Sequence, residues 1–127
     1  MTYELNDEIN KKFEVDKYHP IYYAGASLDF NPIHIDNDFA KAAGLGGVIL
    51  QGLCTMAFAY RAVIGNNDPS KLKKLKVRFR QPVKPLDILN ISGKISSAEN
   101  NAVSIDFFVE NQNKEQVITN GLAIVET

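Results

Sequence analysis

A chain of 127 residues, 45% hydrophobic and 23% charged, has room for one core of ordinary size, and its composition fits neither a disordered nor a membrane-embedded protein. The net charge of −1 is unevenly spread: residues 71–84, KLKKLKVRFRQPVK, hold seven of the 14 basic residues and no acidic one, which leaves the remainder net acidic. The longest nearly apolar run, GGVILQGLCTMAFAY, is interrupted by Gln51 and Thr55 and closed by Arg61, and the first ten residues lack the basic start and apolar stretch of an export signal, so a cytoplasmic protein is expected.

In chain order, KKFEVDKY reads as a first strand. Pro20 suits the first turn of a short helix through IYYAGAS. Asp36 can cap a second short helix, NDFAKAAG, that stops at Gly44. The GLGG stretch at 44–47 has no Lys-Ser/Thr after it and reads as a helix stop and turn, not a phosphate loop. Residues 53–64, LCTMAFAYRAVI, carry one charge and are long enough for about three turns, which predicts a helix buried nearly all round, ended by Gly65, Asn66, Asn67 and Pro69. The single Cys54 in it can form no internal disulfide and reads as a small buried hydrophobe.

From Leu72 onward the pattern changes to strands. LKVRFRQ (75–81) alternates Leu75, Val77 and Phe79 with Lys76, Arg78 and Arg80, and AVSIDFFVE (102–110) sends Val103, Ile105, Phe107 and Val109 inward. LDILNISGKIS (86–96) changes phase near Ile88–Leu89, as at a bulge, and VITNGLAIVE (117–126) supplies the last strand. With QPVKP, SAENN and NQNKEQ as turns, this half reads as an antiparallel meander, and an α+β fold follows in which the sheet curls around the one long helix.

The chemistry concentrates in SLDFNPIHID, residues 27–36. Proline disfavours the α region for the residue before it, so Asn31-Pro32 makes a turn that lets Asp29 and His34 approach. A carboxylate and an imidazole in one small site are the commonest general acid–base pair, although a satisfied core histidine after an Asp-containing turn would read the same way. Asp29, His34 and Asp36 have only His19 as a further histidine and no Cys or Glu cluster beside them, so no metal is expected. Gln51-Gly52 stands where the long helix begins. Its unpaired N–H groups could hold an oxyanion, or the glycine could serve tight packing alone.

These residues resemble the MaoC-like dehydratases and R-specific enoyl-CoA hydratases of the hot-dog fold. YAGASLDFNPIHID is similar to the hydratase motif of that family, ILQGLCTMA to the stretch that opens its central helix, and VRFRQPVKPLDIL to its later strand signature. Nearly the whole chain is covered, and in length it looks closest to single-hot-dog dehydratase subunits. The resemblance implies a single hot-dog domain over 1–127 that reversibly hydrates trans-2-enoyl thioesters, or dehydrates (R)-3-hydroxyacyl thioesters, without a cofactor. The rivals it leaves are an acyl thioesterase and a non-catalytic partner subunit. By the same resemblance Asp29 and His34 are catalytic, Gly52 supplies the oxyanion hole, and Asn31 and Ser27 support the site.

The sequence departs from the family pattern at Leu28 and Leu86, which stand in place of glycines, and at Gln51, in place of a histidine; beside Asp29, the Leu28 side chain could narrow the substrate tunnel or alter substrate preference. The row Lys76, Arg78 and Arg80, extended by Lys71, Lys73 and Lys74, is a candidate to meet the phosphates of CoA or an acidic acyl carrier protein. A solvated strand face is the plainer reading of that row. A homodimer is expected, or a heterodimer with a related subunit; nucleic-acid and membrane partners are not.

Overall fold

The computed structural model describes residues 3–127. Strand β1 (Glu8–Glu14) leads into helix α1 (His19–Ser27), a 3-10 turn at Pro32–His34, and helix α2 (Asn37–Ala42). Helix α3 (Gly52–Ile64) follows, then a 3-10 turn at Pro69–Lys71 and strands β2 (Leu72–Phe79), β3 (Ile88–Glu99), β4 (Ala102–Glu110) and β5 (Gln116–Glu126). All pairings in the single five-stranded sheet are antiparallel, in the order β1-β3-β4-β5-β2.

The expected meander holds for β3, β4 and β5, but β2 is not its first member. It crosses to the far edge and pairs with β5, Leu75 opposite Ala123 and Phe79 opposite Ile118. Local alternation fixes which face of a strand is buried and is silent about its neighbour. The phase change near Ile88–Leu89 is the end of a turn, with Leu86 at φ 72°, and the bulge in β3 comes later, between Ile95 and Ser97. The first strand starts three residues earlier than KKFEVDKY and ends at Glu14.

The core lies between the inner sheet face and α3. Leu89, Ile91, Ile95, Val103, Ile105, Phe107 and Val109 meet Cys54, Phe58, Ala59, Ala62, Val63 and Ile64 of the helix. The central strand runs as expected: on β4 each inward residue is buried and Asp106 and Phe108 are exposed. Gly121 is required by this packing, because the Phe107 ring fills the place its Cβ would take, at 2.5 Å. At the far end of the helix, the Tyr3 hydroxyl donates to the Val63 carbonyl and accepts from Asn67 Nδ2 at 3.0 Å, which ties the chain start to the end of α3.

Helix α3 is not buried all round. Leu53, Ala57 and Arg61, spaced four apart, form an exposed stripe, with Leu53 65% exposed and Arg61 laid over the Phe13 ring at 4.6 Å. Apolar composition cannot separate this stripe from a buried one, because Leu and Ala occur on both. Of the short helices, α1 carries Pro20 in its first turn, and α2 has the Asp36 carboxylate accepting from Phe39 N–H at 3.1 Å, with Gly44 beyond its end at φ 83°.

Candidate active site

Helix α1 ends on Leu28, whose φ of 66° lies in the left-handed region and whose N–H donates to the Ala24 carbonyl at 2.8 Å. This reversal turns the chain into three stacked local bonds. Ser27 Oγ donates to the Tyr23 carbonyl at 2.7 Å and accepts from Asp29 N–H at 3.2 Å, while Asp29 Oδ1 accepts from Asn31 N–H at 3.3 Å. Asn31 Oδ1 then accepts from Ile33 N–H at 3.3 Å and caps the 3-10 turn that carries His34. Ser27 and Asn31 thus hold the backbone on which the two candidate acid–base groups ride. Side chains of this kind favour turns because they bond the backbone two residues on.

His34 is buried, and its Nε2 lies 3.7 Å from Asp29 Oδ2, which faces a half-open space. The other ring nitrogen, Nδ1, is 2.8 Å from the Ile49 carbonyl oxygen. A carbonyl only accepts, so Nδ1 carries a proton and donates it, which leaves Nε2 facing Asp29. At 3.7 Å the two do not share a direct hydrogen bond, and a water that bonds both would sit to one side of the line joining them. Ile49 carries no signal in the sequence, because this partner is a backbone carbonyl fifteen residues away.

The segment that supplies that carbonyl is pinned on both sides, Ile49 N–H to Ile33 O at 3.0 Å and Leu50 N–H to Val83 O at 2.7 Å, and it runs straight into Gly52. Gly52 comes three positions after Ile49, so their α-carbons are at most about 11 Å apart. Helix α3 has no side-chain cap at its start; Cys54 and Thr55 N–H both turn to the Gln51 carbonyl, and no acceptor is recorded for Gly52 N–H among the described residues. Gln51 itself is 1% exposed, donates Nε2 to the Pro20 carbonyl at 2.9 Å, and leaves Oε1 buried without a partner among the described residues. In this chain the residue at the family's histidine position is therefore a strut between α1 and α3.

Tyr23 lies on α1 within the motif stretch YAGASLDFNPIHID. Burial pushes its phenol above the ordinary value, and the charges of Cys54 and Asp29 act in the same direction. Cys54 is buried as expected, and burial pushes its thiol up.

Leu28, next to Asp29, is 75% exposed. Both leucines that replace family glycines, Leu28 and Leu86, have positive φ, at 66° and 72°, so the glycines they replace match a left-handed backbone. The basic row is also less uniform than alternation implies. Lys71 and Lys73 pair with Glu126 at 3.6 and 3.7 Å, and Arg80, just past the end of β2, donates Nε to Thr119 Oγ1 at 3.1 Å. Lys74 and Lys76 stand opposite Ile124 and Leu122 on the outer sheet face, and Arg78 is exposed. Phe79 faces inward but is 49% exposed, because it covers the start of α3 rather than the core.

A family model described as a MaoC like domain matches residues 6–117. The chain belongs to the MaoC-like family. It is 37% identical over 111 residues to the probable enoyl-CoA hydratase 2 of Dictyostelium discoideum, covering 84% of this chain and 36% of that protein. It is 52% identical over 62 residues to the mouse peroxisomal multifunctional enzyme type 2, covering 46% of this chain and 8% of that protein. The chain therefore spans about a third or less of these curated relatives. An R-hydratase from Pseudomonas aeruginosa has the same fold, with a TM-score of 0.86 at 22% identity, covering 98% of this chain and 82% of that one. The hot-dog fold of this MaoC-like chain is thereby shown, as an α+β arrangement of five strands about α3.

Proposed function

We propose that this MaoC-like chain, acting over 1–127 as one unit, adds water reversibly across the 2,3-double bond of trans-2-enoyl thioesters to give (R)-3-hydroxyacyl thioesters. The observation that carries the reading is the Asp29–His34 pair at 3.7 Å, with the His34 tautomer fixed by Ile49. A water held between the two gives a proton to His34 Nε2, steered by Asp29, and its oxygen bonds to C3. The π electrons move through C2 to the thioester oxygen, where Gly52 N–H and the start of α3 stabilise the charge. The enolate then collapses, and C2 takes the proton from the same pair, so that H and OH arrive on one face.

General acid–base catalysis is worth about 10²–10⁴-fold and one oxyanion donor about 10²–10³-fold, together enough for a useful hydratase. A thioester already acidifies the C2 proton, so the chemistry asks for no metal, flavin or nicotinamide. The Dictyostelium relative's name, an enoyl-CoA hydratase, supports the substrate class.

Lys76, Arg78 and Arg80 are proposed to attract the phosphates of CoA or the acidic face of an acyl carrier protein. Arg78 and Arg80 flank Phe79 at the edge of the sheet, so a thioester entering over that edge passes the cations on its way to Gly52. The chain is proposed to work as a homodimer, with a related subunit as the alternative partner, because β2 is an unpaired edge and Phe79 and Leu53 are exposed. Light scattering that finds an active monomer would contradict that assembly. No described helix is long and apolar enough to cross a membrane. The reading places the reaction in the cytoplasm, although the mouse relative's name places that protein in the peroxisome.

The deciding test is purified chain with crotonyl-CoA and, separately, saturated butyryl-CoA. Loss of enoyl absorbance without release of thiol supports the hydratase. Thiol release from butyryl-CoA would make it a thioesterase, and inertness to both would make it a binding subunit.

A further inference from the structure

Helix α1 ends in the turn that carries Asp29, yet little holds the helix in place. Of its nine residues only Pro20 and Ala24 are buried, and no side chain caps its start. The His19 ring meets the Phe58 ring edge-on, with centroids 5.4 Å apart. Among the described residues, one hydrogen bond joins α1 to anything beyond its own flanking turns: the 2.9 Å bond from Gln51 Nε2 to the Pro20 carbonyl. Gln51 makes that bond at the expense of its Oε1, which is buried with no partner among the described residues. A methionine would fill a similar volume without burying an unpaired acceptor.

On the hydratase reading above, we propose that Gln51 is a positioning residue of the reaction, setting Asp29 against His34 by holding α1 to the stretch that leads into α3. Both members of the pair take their place from that stretch. His34 Nδ1 donates to the Ile49 carbonyl at 2.8 Å, and two residues further on Gln51 holds the first turn of the helix whose far end leads to Asp29. A helix of nine residues is about 13 Å long, so a tilt of about 5° about Pro20 moves its far end by about 1 Å. Asp29 and His34 stand 3.7 Å apart, and a misplacement of about 1 Å in a catalytic site can lower the rate by up to about a hundredfold. What the position needs is a donor to Pro20, and the histidine of the family pattern also carries a ring N–H.

The test follows hydration of crotonyl-CoA by Gln51→Met, which keeps the bulk without the donor, and by Gln51→His, which returns a donor. Gln51→Met should melt close to the wild-type Tm, because the lost bond is offset by the lost unpaired acceptor. Its kcat should fall about tenfold or more, with KM changed by less than about threefold. Gln51→His should keep kcat within about threefold of wild type. A double-variant cycle separates this role from a general loosening of the fold. With Asp29→Asn already in place, Gln51→Met should lower kcat by less than about threefold more, because its effect passes through Asp29.

Wild-type kcat in Gln51→Met, an equal fall in Gln51→His, or full multiplication of the two losses in the cycle overturns this role. If Gln51→Met does not fold, the cycle is repeated with Gln51→Leu, and failure of that chain to fold as well makes Gln51 a purely structural residue and overturns the role. Wild-type chain inactive on crotonyl-CoA would overturn the hydratase reading first, and this role with it. An active wild type beside any of the contrary outcomes leaves that reading standing and removes only Gln51 from it.

Discussion

Leu28→Gly should stabilise the protein. Leu28 sits at φ 66°, where a side chain on an L-residue costs about 1–2 kcal/mol through the contact of its Cβ with the following carbonyl. Glycine removes that cost but returns about 0.5–1 kcal/mol through the greater freedom of the unfolded chain. At 75% exposure the leucine loses little burial on truncation. The balance is a gain of about 0.5–1 kcal/mol, which for a chain of this size raises Tm by about 2–5 °C. Leu86→Gly, at φ 72° and 60% exposed, should behave alike, and the two gains should add because they lie in separate turns. Thermal unfolding followed by circular dichroism measures both. A fall in Tm for Leu28→Gly would show that the side chain is buried in the working protein, and would refute the reasoning.

Asp29→Asn and His34→Ala should each lower turnover on crotonyl-CoA by about a hundredfold or more with the fold intact, and the double variant should lose less than the product of the two; near-wild-type turnover removes the residue concerned from the mechanism. Arg78→Ala combined with Arg80→Ala should raise KM, spare kcat and flatten the salt dependence of kcat/KM, whereas unchanged KM and salt dependence return the strand to a solvated face. Burial raises the Cys54 thiol above its ordinary 9.0, so the unfolded chain loses that proton at lower pH than the folded one. Stability from this group is whole below pH 9 and declines as pH rises towards the folded value. Urea melts should show that decline in the wild type and a shallower one in Cys54→Ala; parallel slopes would contradict it.

What the sequence made legible was local. Asp36, Gly44 and Pro20 mark their helix ends because capping and φ restriction act within a turn or two. The strand 102–110 reads correctly because one face meets α3 and the other meets solvent. The Asp29 to His34 approach is legible for the same reason, since Asn31-Pro32 and the Asx-type bonds act two residues ahead. What stayed hidden depends on distant partners. Nothing in LKVRFRQ tells that β2 lies beside β5, that Phe79 leans on Gly52, or that Ile49 sets the His34 tautomer. Gln51 gave no warning of its burial, because a polar residue inside an apolar run reads equally well as an interruption.

The central claim is that one pair of groups on one face adds water to an enoyl thioester. It is tested most directly by converting crotonyl-CoA in D2O with the wild-type chain and resolving the product by NMR and chiral analysis. The account predicts (R)-3-hydroxybutyryl-CoA with a single deuterium at C2, on the same face as the new hydroxyl. Anti addition, a 3S product, or released CoA in place of the hydroxy thioester would contradict it.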